Sequence, residues 1–148
     1  MINYSAPDLT VHPPRSLRVR LGGYAHLSRL LDKARAVLAG KGASYHYNCP
    51  LDELFFEFTG IGHEAMLAEI KTGKTDTQIL EWVNATSKRQ RHEVIAWSAW
   101  VEQHGPGGAE GHEWAASVIK DNKSERNDIR SFADILDFDD YISYGGRP

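Results

Sequence analysis

A chain of 148 residues, 41% apolar and 25% charged, has the size and balance of one globular domain, large enough to build a core without staples. Its net charge of −3 argues against a nucleic-acid partner. Its single cysteine excludes an internal disulfide and points to a reducing, cytoplasmic setting. No run approaches the ~20 apolar residues of a membrane helix, and Met1–Pro7 lacks the basic and apolar regions of a signal peptide.

Residues 1–22 are expected to form an extended arm, because Pro13, Pro14 and the residues before them resist helix. Gly22 and Gly23 precede a helical stripe at Leu27, Leu30, Leu31, Ala34 and Leu38, with Ser28, Arg29, Asp32 and Lys33 largely outside it. Gly40 and Gly42 end this helix. The polar run Tyr45-His46-Tyr47-Asn48-Cys49-Pro50-Leu51-Asp52 follows. It opens a helix whose apolar face is Leu51, Leu54, Phe55 and Phe58, stopped by Gly60 and Gly62. Ala65, Met66 and Ile70 mark a short helix closed by Gly73.

Thr75 and Gln78 fit a capping box ahead of Ile79, Leu80 and Val83, with Trp82 beside them. A helix from about His92 carries Val94, Trp97, Ser98 and Val101. Gly105-Pro106-Gly107-Gly108 breaks it. A further helix is expected from near Gly111 to Asp121, then a polar loop to Asp128. Ser131 caps the last helix, with Phe132, Ile135, Leu136 and Ile142. Six or seven short helices with glycine-marked turns predict an all-α, compact single-domain bundle over residues 1–148.

The charges are uneven. Residues 1–40 hold six basic residues against Asp8 and Asp32, whereas residues 124–148 hold six acidic residues against three basic ones. The plain reading is that the two ends meet and pair. The sharper one is that Arg18 and Arg20 wait for a small anionic ligand, which a guanidinium fork suits.

The Tyr45–Asp52 run carries the candidate chemistry. Cys49 precedes Pro50, which fits the first position of a helix, and a thiol at a helix N-terminus can become a nucleophile. His46, three residues earlier, is the candidate base, with Asp52 or Asn48 to orient it. Tyr45, Tyr47, Arg18 and Arg20 complete the candidate ligand-binding set. The alternative is a small buried cysteine beside a structural histidine. The pairs His63-Glu64, His92-Glu93 and His112-Glu113 stand at helix starts, where glutamate complements the helix dipole. None has the spacing that puts two ligands on one face, so no metal site is expected. The aspartates Asp134, Asp137, Asp139 and Asp140 lack the glycine and spacing of a calcium loop. Gly22-Gly23 lacks the remainder of a phosphate loop, and no cofactor is expected.

Pro13-Pro14-Arg15-Ser16, Arg20-Leu21-Gly22-Gly23-Tyr24, the Tyr45–Asp52 run, and Phe138-Asp139-Asp140-Tyr141 through Gly145-Gly146 together resemble a family of small uncharacterised bacterial proteins, a domain of unknown function. The resemblance covers essentially the whole chain. It implies a bacterial single-domain protein and no activity.

Two function classes remain. One is a binding or interaction module, a homodimer among its forms, with no chemistry of its own. The other is a small-molecule enzyme or ligand-binding protein with a pocket where the Tyr45–Asp52 turn meets the Arg15–Tyr24 arm.

Overall fold

The computed structural model describes all 148 residues. Seven helices follow one another: α1 (Leu27–Leu38), α2 (Pro50–Thr59), α3 (His63–Lys71), α4 (Asp76–Ser87), α5 (Arg91–Gln103), α6 (Gly108–Asp121) and α7 (Phe132–Ser143). There is no strand, only one isolated bridge between Leu21 and Tyr24. The chain is therefore an all-α single domain of short helices. No helix is long and apolar enough to cross a membrane.

Local chemistry accounts for most boundaries. Pro50 opens α2, where its missing N–H costs nothing. Gly60, at φ 71°, closes α2 and donates its N–H to the Phe56 carbonyl. The Thr75 hydroxyl caps α4 and the Ser131 hydroxyl caps α7, each accepting the N–H three residues on. Helix α6 starts at Gly108, three residues earlier than the sequence suggests.

Helix α1 is the centre. It packs against α3, while α2 packs against α4 and α5 against α7. Leu27, Leu30, Leu31 and Ala34 join Tyr24, Phe55, Phe56, Met66, Ile70, Ile79 and Val83 in the main core. Trp97 stacks on Phe58 at 4.9 Å and meets Phe55 edge-on, so it walls this core. A smaller cluster of Leu17, Ala25, Val101 and Ala133 ties the arm to α5 and α7.

One expectation about α1 is overturned. Nine of its 12 residues are buried, including Ser28, Arg29, Asp32 and Lys33, which the stripe placed outside. The arm and α7 cover the face that a two-sided amphipathic helix would leave wet. Each buried charge is matched. Arg29 pairs with Asp140, Asp32 receives three hydrogen bonds from Arg15, and Lys33 pairs with Asp52.

The arm itself contains no helix and is not loose. Leu9 and Leu17 are fully buried, and the Leu9 N–H donates to the Lys41 carbonyl at 3.0 Å. The uneven charges do bring the two ends together: Arg18 pairs with Asp134 and Asp137, and Arg29 with Asp140. Arg15 and Arg35 instead share Asp76 at the start of α4, and Arg20 pairs with Glu102.

Candidate functional site

The turn into α1 sets the site. Gly22 holds φ 58°, and a Cβ there would lie 2.4 Å from the end of the Leu80 side chain, so any other residue would be strained and would displace Leu80. Ser98 on α5 pins the turn, accepting the Ala25 N–H at 2.9 Å and donating to the Gly23 carbonyl at 2.8 Å. The chain then reaches His26, the N-cap of α1, in the left-handed region at φ 69°. A non-glycine residue held there costs on the order of 1–3 kcal/mol. The His26 side chain does not cap the helix but turns inward, only 1% exposed.

His26, Arg29 and Lys33 lie at positions i, i+3 and i+7 and so share one face of α1. Asp52, in the first turn of α2 and fully buried, faces them. Its Oδ1 accepts from His26 Nε2 at 2.6 Å. Lys33 Nζ donates to both Asp52 oxygens at 2.9 Å, and the Cys49 N–H donates to Oδ2 at 3.3 Å. Burial opposes the charge on Asp52, but His26 and Lys33 outweigh it and hold the carboxyl down at about 2. Burial lowers the His26 pKa, and the Asp52 carboxylate only partly opposes this. The imidazole is therefore neutral near pH 7, with its proton on Nε2 toward Asp52. Its Nδ1 is left as a buried acceptor with no partner.

Beside this cluster lies a cavity of about 190 Å³. Its wall includes His26, Arg29 and Lys33 of α1, Tyr45, His46 and Cys49 of the following turn, and Asp139 of α7. Lys33 Nζ also lies 3.1 Å from Cys49 Sγ and donates to the His46 carbonyl at 3.0 Å. Arg29 grips Asp140 with both terminal nitrogens, at 2.7 and 3.2 Å, and lies over the Tyr45 ring. The Tyr45 hydroxyl donates to Asp140 at 2.7 Å, and burial together with Asp140 raises its pKa, so it stays protonated. Burial, and to a lesser degree the neighbouring Asp140 charge, raises the Asp139 carboxyl.

The candidate residues separate here. Tyr45, His46 and Cys49 reach one cavity wall. The exposed His46 ring makes no hydrogen bond to Cys49, whose sulfur meets Lys33 instead, and Asp52 orients His26 rather than His46. Tyr47 turns away, donating its hydroxyl to the His63 carbonyl at 2.7 Å and meeting Phe56 edge-on. Arg18 and Arg20 lie outside the cavity wall, committed to their carboxylates on α7 and α5. No three His, Cys, Asp or Glu side chains gather as a metal site would require.

His26, Arg29, Lys33 and Asp139 were not picked out by sequence reasoning as site residues. One signal for His26 was present: it occupies the position just before the α1 stripe, where Ser, Thr, Asp or Asn would be usual.

No curated protein matches the chain. Residues 11–142 match the family described as Domain of unknown function (DUF5069). That span covers the arm from Val11, the cavity and all but the last residue of α7, and the chain belongs to the DUF5069 family.

Proposed function

We propose that the protein binds a small polar molecule in the cavity between α1, the turn before α2 and α7, and that this molecule donates a hydrogen bond to His26 Nδ1. The observation that carries the reading is that nitrogen, a buried acceptor fixed by Asp52 and without a partner. A buried acceptor left unpaired costs about 1–3 kcal/mol, and His26 also sits in strained backbone. A donor from a ligand offsets the first cost. A cavity of about 190 Å³ has room for about six waters at the ~30 Å³ each occupies in the liquid. That favours a compact ligand. Arg29 and Lys33 already face carboxylates, so an anion finds no free cation there. A molecule with O–H or N–H donors suits the wall better.

The test is a thermal-shift panel of small alcohols, amines, amides and acids, read together with the ¹⁵N resonance of His26 Nδ1. A ligand at 100 times its Kd raises stability by about 2.7 kcal/mol. A compound that raises Tm and shifts the Nδ1 resonance supports the reading. If no compound stabilises the protein, or those that do leave Nδ1 unchanged, the reading fails.

A second reading, an interaction module, is favoured by α6. This helix buries none of its residues, and Trp114, Trp100 and Ile95 are each nearly half exposed. A homodimer through this surface would show in light scattering as a mass that doubles with concentration and returns to one chain in Trp114→Ala.

A further inference from the structure

We propose that Lys33 and Cys49 form an oxidation-dependent cross-link: peroxide converts the Cys49 thiol to a sulfenic acid, and the Lys33 amine then closes an N–S bond. The inference goes beyond the ligand reading, since it needs only a peroxide and not the cavity's own ligand.

Three observations meet at this point. Cys49 is the N-cap residue of α2 and lies in the wall of the cavity. Lys33 Nζ lies 3.1 Å away, held by Asp52 and the His46 carbonyl so that it cannot swing out to solvent. Independently of the thiol, the 1%-exposed His26, whose Nδ1 has no partner, belongs to the wall of the same cavity. Cys49 belongs to that wall too, so a peroxide entering the cavity meets the sulfur.

The steps balance. The sulfur attacks one peroxide oxygen and the O–O bond breaks. The departing hydroxide takes the thiol proton and leaves as water. Sulfur is oxidised by two electrons and the peroxide is reduced by two, giving Cys–SOH. Lys33 then loses a proton to solvent, and its nitrogen attacks sulfur. The S–O bond breaks, and the hydroxide leaves as water with a second proton from nitrogen. The product is Cys–S–NH–Lys, two hydrogens lighter than the starting pair, and a thiol reductant reverses it.

The experiment treats the whole native protein with near-stoichiometric hydrogen peroxide, digests it with trypsin and reads the peptides by mass spectrometry. The expected product joins residues 30–35 to residues 42–71, about 2 Da below the sum of the two peptides, uncut at Lys33 and released by dithiothreitol. Most chains should carry it. In Cys49→Ser it should be absent, and in urea its yield should fall at least tenfold because the two side chains are no longer held together. Oxygen gained at Cys49 (about 16 or 32 Da) without the linked peptide would overturn the proposal. So would an unchanged Cys49 peptide, or a link formed equally well in urea.

Discussion

Helices α1 and α6 are of similar length, 12 and 14 residues, and they sit at opposite extremes of burial. Helix α1 buries nine residues, four of them polar or charged, whereas α6 buries none and exposes a tryptophan. In this protein the most charged helix of the first half is the innermost, and a helix carrying an exposed tryptophan lies outside. Burial has followed the supply of partners rather than apolar content. Asp52, Asp140 and Arg15 meet the α1 charges, while the apolar residues of α6 are at most partly covered.

The largest effect should come from breaking the centre. Asp52→Ala leaves Lys33 and His26 buried without their carboxylate and should cost about 3–5 kcal/mol in urea denaturation. A smaller loss would mean that water reaches the site. Leu31→Ala on the apolar side of the same helix should cost about 2–5 kcal/mol by the same measurement.

Titration sharpens the contrast, because the coupled buried groups belong to α1 and its partners. The folded pKa of His26 lies below the ordinary value of about 6.5, so as pH falls the unfolded chain binds that proton first. Stability is therefore fully present above about 6.5 and declines below it, by at most about 1.4 kcal/mol per pH unit from this group. Asp52, held down at about 2, stabilises the fold above about 4 and loses that contribution as pH falls toward 2. In His26→Asn, which tolerates left-handed backbone, the part of the decline that begins near 6.5 should vanish and the acid part should remain. A Tm series from pH 8 to 3 on both proteins reads the difference.

At the outer extreme, Trp114→Ala on α6 should change monomer stability by less than about 0.5 kcal/mol. Amide exchange should open α6 well before α1. A large loss in Trp114→Ala would mean that its contact with Phe132 matters to the fold.

Much of this architecture could be read along the chain. The helices, their glycine stops, the Thr75 and Ser131 caps and the Pro50 start all depend on residues within a few positions of one another. The burial of Arg29, Asp32 and Lys33 depends on Asp140, Arg15 and Asp52, which lie 17 to 111 residues away in sequence. No periodicity within α1 carries that information. The cavity shows the same division. The turn holding Tyr45, His46 and Cys49 stood out as a cluster, but nearness in sequence suggested His46 as the base. The folded chain brings Lys33 to the sulfur instead, from 16 residues earlier. His26 was hidden by its backbone, since a left-handed N-cap without a capping side chain follows no helix-start rule.

The pairing of Arg29 with Asp140 spans 111 residues, and the Tyr144 hydroxyl reaches the Leu9 carbonyl across 135. On a chain emerging N-terminus first, α1 therefore exists long before α7 can cover it. Its apolar side can collapse early onto α2, α3 and α4, while Arg29 must stay hydrated until the last helix arrives. The final closure is thus a single long-range event. A ribosome-bound chain ending before α7 should remain protease-sensitive around α1, and full protection should come only with the last helix.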